Sequence, residues 1–159
     1  MYYISFGRLK LATEAFEEII QDFEFLETWE DRYGYIIDLG KDMPGLEEKF
    51  KTPVTKVEGC ASQVWFVLDF IPSDSGFIFH FKGDSDAIIV RGLIAILSRL
   101  FNGLTIEQVS KIDAHSELQK LDLRNHLSQQ RSNGLVAMIA KIKNVSTNAL
   151  ESKSACANS

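Results

Sequence analysis

Cysteine is scarce in this chain, with two in 159 residues. Two thiols cannot build a four-ligand structural zinc site or the disulfide framework of a small secreted domain, so a reducing compartment is expected. The three histidines, His80, His115 and His126, are scattered, and no two histidines or cysteines share metal-ligand spacing. Positive charge is in deficit: 17 Lys and Arg stand against 22 Asp and Glu, a formal charge of −5. That sign argues against a nucleic-acid or anionic-membrane surface, which needs clustered cations. No apolar run approaches the ~20 residues of a membrane helix. Met1-Tyr2-Tyr3-Ile4-Ser5 places no basic segment ahead of an apolar stretch, so no signal peptide is expected. No repeat occurs at solenoid periods. These absences together lead to the expectation of a cytoplasmic protein with neither nucleic acid nor membrane as partner.

What is present has the proportions of a folded chain. Hydrophobic residues make up 45% and charged residues 25%, which excludes disorder and fibrous repeats. The length suits one domain that buries roughly 70% of its unfolded surface. Leu11, Ala15, Phe16, Ile19, Ile20 and Phe23 are spaced for one face of a helix. Thr28 can cap a second helix through Tyr33, Ile36, Ile37 and Leu39, which Gly40 would stop. Pro44 and Pro53 bracket an irregular connection. Gln63 to Ile71 is rich in β-branched and aromatic residues and predicts a strand. Turn chemistry follows at Pro72-Ser73-Asp74-Ser75-Gly76, and the alternation from Phe77 to Lys82 completes a hairpin that ends at Gly83. Asp84 or Ser85 would then cap a strongly apolar helix from about Asp86 to Phe101, stopped by Asn102-Gly103 and lying across the sheet. Thr105 and Gln108 form a capping box, and a last helix runs from Asn133 to Lys143. The order of elements predicts an α+β fold, an antiparallel sheet with helices packed on it. Residues 1–145 are expected to form a single domain and 146–159 a disordered tail, because that stretch is Ser-, Asn- and Ala-rich without periodicity.

Cys60 is the first candidate for chemistry. It follows Gly59 at a sheet end, where a loop can present its sulfur to another molecule and glycine leaves the approach open. A small buried hydrophobe is the other use of such a cysteine, and spacing alone does not choose. An unperturbed thiol of pKa near 8.5 is only about 3% thiolate at pH 7. Nearby Glu58 would raise that pKa and Lys56 lower it. His126 or His80 could serve as base in a Cys–His hydrolase, although nothing in the sequence fixes that geometry. Cys156 falls in the expected tail, where an exposed and inert thiol is the plain reading. Gly83-Asp84-Ser85 echoes one class of serine hydrolase, but Asp86 follows and no Asp-x-x-His supplies the partners, so Ser85 reads as a helix cap. Asp84 and Asp86 would also repel phosphate. Asn144-Val145-Ser146 is a glycosylation sequon in letters only. Arg131, just ahead of Ser132-Asn133-Gly134, could hold a carboxylate or a persulfide anion, or simply be solvated.

Gly59-Cys60-Ala61-Ser62-Gln63-Val64-Trp65 closely resembles the acceptor-cysteine motif of the SufE/CsdE family of cysteine desulfuration proteins. The resemblance continues through Gly83 to Ile94, His126-Leu127-Ser128, Arg131-Ser132-Asn133-Gly134-Leu135 and Tyr35 to Gly40, over roughly Ala12 to Lys143. It implies an α+β fold shared with IscU-type scaffolds, and sulfur relay as the activity. Cys60 would be the persulfide sulfur acceptor for a SufS/CsdA-like cysteine desulfurase, which it would stimulate. Gly59, Ser62 and Gln63 would shape its loop and Arg131 would contact the partner. The sulfur would pass to iron–sulfur scaffold proteins. Pyridoxal phosphate would belong to the desulfurase, with no cofactor on this chain. A non-catalytic adaptor that binds the desulfurase is the alternative. One thiol in the folded part can relay an atom but cannot hold a cluster, which favours carrier over scaffold. A mobile or everting loop between Pro53 and Gln63, with the resting thiol sheltered, is therefore expected. Ile106 and Gln129 stand where many family members have proline, and Asp113 to Glu117 is less aromatic than is usual there.

Overall fold

A computed structural model describes residues 13–157, with side chains as far as Lys153. Helix α1 spans Glu14–Phe25 and buries Phe16, Ile19 and Phe23, one face at helical spacing; Leu11 lies outside the described residues. Thr13 caps it by accepting from the Phe16 N–H at 3.2 Å. Helix α2, Trp29–Asp42, begins under the Thr28 cap as expected. It does not stop at Gly40, which is buried inside it. The helix ends at Met43, the residue before Pro44, where proline disfavours helical backbone.

Strands β1, Val64–Ser73, and β2, Gly76–Ser85, form an antiparallel two-stranded sheet in continuous register from Val64 opposite Ser85 to Ser73 opposite Gly76. β1 starts one residue after Gln63 but runs past Ile71 through Pro72, and β2 runs past Gly83 to Ser85. The Phe66 N–H donates outward to the Thr55 carbonyl, and the Val64 carbonyl accepts from the Val57 N–H. Even-numbered residues of β1 thus turn their backbone polar groups away from β2, and by alternation Pro72 gives up no ladder bond. The opposite edge is met by a side chain and by main chain: the Asn102 amide accepts from the Phe81 N–H at 2.8 Å and donates to its carbonyl at 3.1 Å, and the Phe79 N–H donates to the Leu104 carbonyl at 2.8 Å.

Helix α3, Ile88–Phe101, buries ten of its residues against Phe66, Phe79 and Phe81 of the sheet and against α2. Its cap differs from expectation. The N-cap is Ala87, without a side-chain bond; the Ser85 hydroxyl accepts from the Ala87 N–H, while Asp84 and Asp86 are engaged elsewhere. Asn102 ends the helix and Gly103 follows at φ +94°, in line with the sequence. Where α2 crosses α3, a Cβ on Gly92 would stand 2.1 Å from the Ile36 carbonyl oxygen, and one on Gly40 would stand 2.7 Å from the Ile88 oxygen. Backbone therefore meets backbone at this crossing. Gly92→Ala is expected to lose about 3 kcal/mol of unfolding free energy, the upper range for overpacking, because the obstruction is main chain and cannot turn aside; a urea titration reads it directly.

Helix α4, Ile106–Lys111, opens on the expected Thr105/Gln108 capping box. Helix α5, Ala114–Gln119, follows without a distinct signal in the apolar pattern. Helix α6 runs from Gln129 to Ala157. It starts earlier than Asn133, where the Ser128 hydroxyl accepts from the Arg131 N–H. It also continues beyond Lys143 through most of the stretch expected to be a disordered tail. Buried positions Met138, Ile139, Ile142 and Ser146 keep helical spacing, but a serine fills the last one, so the apolar signal fades while the geometry does not. Lys143 joins α6 to α4 by donating to the Val109 carbonyl at 2.7 Å and to that of Ile112. Lys153 pairs with Glu107 at 3.6 Å. Among the described residues no helix is long and apolar enough to cross a membrane. The architecture is the α+β arrangement expected, helices packed on an antiparallel sheet.

Candidate functional site around Cys60

Cys60 sits at the tip of a loop attached at both ends. On the incoming side Thr55 and Val57 bond to β1, the Val57 N–H reaching the Val64 carbonyl at 2.8 Å. On the outgoing side the Gln63 N–H donates to Asp86 Oδ1 at 3.0 Å, and the Asp86 N–H donates to the Gln63 carbonyl at 3.3 Å. The span between these attachments, 58–62, is shorter than the Pro53–Gln63 segment the sequence suggests. Gly59 holds φ +90°, a conformation L side chains rarely adopt, and a Cβ there would stand 3.1 Å from the Ala137 Cβ on α6. The positive φ favours glycine here, and the space beside Ala137 is tight for any side chain.

The thiol is half-buried beneath the first turns of α6, with Sγ 3.5 Å from the Gly134 carbonyl, a weak S–H donor contact. It opens on a cleft of about 260 Å³ lined by Ser62, Val90, Leu93, Arg131 and Met138. Burial, reinforced by the Glu58 carboxylate, pushes the Cys60 thiol above its ordinary pKa. Its hydrogen-bond partner is a carbonyl oxygen, which offers nothing to a thiolate. At rest the group is a protonated, sheltered thiol.

The residues singled out in the sequence are not all used alike. Ser62 and Arg131 line the cleft with Cys60. Gln63 does not; its side chain is exposed and its role is the backbone exchange with Asp86. Arg131 Nη1 donates to the Tyr33 hydroxyl at 3.1 Å, and among the described residues it has no carboxylate partner. None of the three histidines lines the cleft. His80 lies in a separate cavity beside Met43 and Lys82, and His115 in one between α5 and α6. The His126 ring stacks on Trp29, with centroids 3.7 Å apart, and its Nε2 is 3.4 Å from Asp122 Oδ2. The Cys–His hydrolase reading therefore has no base in place. The Cys156 side chain lies outside the described residues.

Asp84 and Ser85 do not form a hydrolase site either. Asp84 is buried and accepts from the Leu46 N–H at 3.0 Å and the Ser85 N–H at 2.8 Å. Arg91 also donates to it, and the Lys51 ammonium stands 3.3 Å away. Arg91 reaches on to the Gly40 carbonyl at 3.0 Å. This cluster ties the end of α2 and the following connection to β2 and α3. No group of three His, Cys, Asp or Glu side chains able to hold a metal occurs among the described residues.

Sequence reasoning misses Tyr33 as the partner of Arg131, and it misses Val90, Leu93 and Met138 as the apolar wall of the cleft. These residues come from three different helices, and no local pattern announces such a meeting.

The family model described as SufE, Fe-S metabolism associated domain, matches residues 17–146, most of the chain. An uncharacterized SufE-like protein of Rhizobium meliloti is 46% identical over 129 residues, covering 81% of this chain and 92% of its own. One from Rhizobium etli is 46% identical over 134 residues, covering 84% and 90%. The solution structure of a hypothetical protein from Thermus thermophilus shares the fold, with TM-score 0.68 at 15% identity over 88% of this chain and 98% of that one. With these matches along most of its length, the chain belongs to the SufE family.

Proposed function

We propose that this protein accepts sulfur on Cys60 from the persulfide of a pyridoxal-phosphate-dependent cysteine desulfurase and hands it on to iron–sulfur cluster assembly. The observation that carries the reading is a half-buried thiol on a loop pinned at both ends, in a cleft where the described residues supply no second thiol and no base. Such a group is unreactive until a second protein provides the electrostatics. In the transfer, the Cys60 thiol loses its proton to the partner's site. Its thiolate then attacks the outer sulfur of the donor's Cys–S–S⁻ group, the donor S–S bond breaks, and the donor cysteine leaves as thiolate. Cys60 then carries the persulfide, and no net oxidation or reduction has occurred. The cleft onto which Sγ opens, lined in part by Leu93 and Met138, can receive the added atom and shelter it from reductants. Arg131, free of any carboxylate among the described residues, can pair with the anion.

Incubation with purified desulfurase and L-cysteine, followed by mass spectrometry, tests this. One extra sulfur atom on the peptide that contains Cys60 is the expected result. Stimulation of the desulfurase with no sulfur gained on Cys60 would instead make the protein an adaptor.

A further inference from the structure

Helix α2 contains a glycine that the fold does not need. Gly34 is exposed in mid-helix, and nothing lies within 4 Å of where its Cβ would stand. Its backbone is ordinary helix, unlike Gly59, and no neighbour crowds it, unlike Gly92. A helix-interior glycine is weaker there than alanine, so the bare position calls for a reason outside the chain.

The surroundings supply one. Gly34 forms the floor of an open groove of about 470 Å³, walled by Trp29, Tyr33, Ile37 and His126 and edged by Glu30. Positions 30, 33, 34 and 37 are the spacing of a hole into which a facing helix sets a side chain, and a glycine floor allows close approach of the two axes. Trp and Tyr are the residue types that anchor protein interfaces. The groove also adjoins the Cys60 cleft, since the Tyr33 hydroxyl accepts from Arg131 and Arg131 lines that cleft. A protein seated over Cys60 is thereby brought to α2.

We infer that the α2 groove over Gly34 is a docking surface for a helix of the sulfur donor, one with an apolar face and a basic residue at its edge. This rests on the sulfur-acceptor reading above. The exposed carboxylates Glu30, Asp31 and Asp38 on α2 call for that positive charge. They also argue against a second copy of this chain, because a two-fold pairing over Gly34 would set the carboxylates of Glu30 and Asp38 against those of the other copy whichever way the helices run.

The test is Gly34→Gln, whose Cβ meets no atom of the chain and whose longer side chain occupies the groove. Thermal melting should show a protein at least as stable as the native one. Titration into purified cysteine desulfurase with L-cysteine should then show the half-saturating concentration raised about tenfold, as for loss of one interface anchor. The rise should appear in that concentration rather than in the limiting rate, and direct calorimetric binding should weaken by the same factor. Glu30→Lys should weaken binding in the same direction, more so at low salt. Unchanged affinity of Gly34→Gln for the desulfurase would overturn the inference. So would unchanged desulfurase binding accompanied by loss of self-association in sedimentation. Failure of native Cys60 to gain sulfur would instead strike the sulfur-acceptor reading, and mass spectrometry of the native protein separates the two.

Discussion

A Cys60→Ser protein is expected to gain no sulfur from a desulfurase while remaining as well folded as the native chain. The first half follows from the chemistry. A serine hydroxyl has no accessible anion near neutral pH and cannot take an outer sulfur from a persulfide, and no second thiol lines the cleft. The effect on uptake is therefore complete rather than graded. The second half follows from the surroundings. Sγ makes one weak contact, to the Gly134 carbonyl, which a hydroxyl can make as well. The half-buried site releases little apolar area, so the stability change should stay within about 1 kcal/mol. Mass spectrometry reads the first half and urea unfolding the second. Sulfur on the Cys60→Ser protein would move the acceptor elsewhere in the chain.

The largest effect on stability is expected at Asp84. Asp84→Ala should lose about 3–5 kcal/mol, because removing one partner of a buried ion pair leaves the other uncompensated. Here the orphaned group is Arg91, held in place by the Gly40 carbonyl. Burial opposes ionisation of Asp84. The N–H groups of Leu46 and Ser85, the Lys51 ammonium and the Arg91 charge outweigh it and hold the carboxyl below its ordinary pKa. The sign follows from that depression. The ionised form stabilises the fold fully above the unfolded pKa, near 3.9, and this contribution is lost as pH falls through the lower folded value. Native stability should thus decline on acidification below about pH 4 partly through this residue. In Asp84→Asn that part of the decline should be missing. Urea midpoints measured from neutral to acid pH in both proteins decide it.

The contrast between the two sites shows what a sequence displays. The hairpin, the Thr28 and Thr105 caps and the apolar run of α3 are legible because each depends on neighbours a few residues away. Cys60 is legible only through an ordered set of motifs, since a glycine before a cysteine has many uses. Asp84 reads wrongly as a helix cap for the same reason in reverse. It stands where a cap would, but its partners arrive from Leu46, Lys51 and Arg91. Gly40 looks like a stop because its crossing partner, Gly92, lies on another helix. The far half of α6 is hidden because Ser146 occupies a fully buried position that a sequence pattern counts as polar. Tyr33 and Arg131 meet only after α2 and α6 have been brought together.

The attachment of the Cys60 loop at both ends sets a distance. With Val57 held to Val64 and Gln63 to Asp86, the intervening residues form a tether whose two posts stand side by side. The six Cα-to-Cα steps from Val57 to Gln63 stretch to about 20 Å, so a tip that must return to its own base can travel only about half of that. On the proposed sulfur-acceptor role, the donor's outer sulfur must therefore come within about 10 Å of this surface. A donor cysteine at the bottom of a deeper well would have to rise on a moving segment of its own, and the meeting point would be set by the sum of two short reaches.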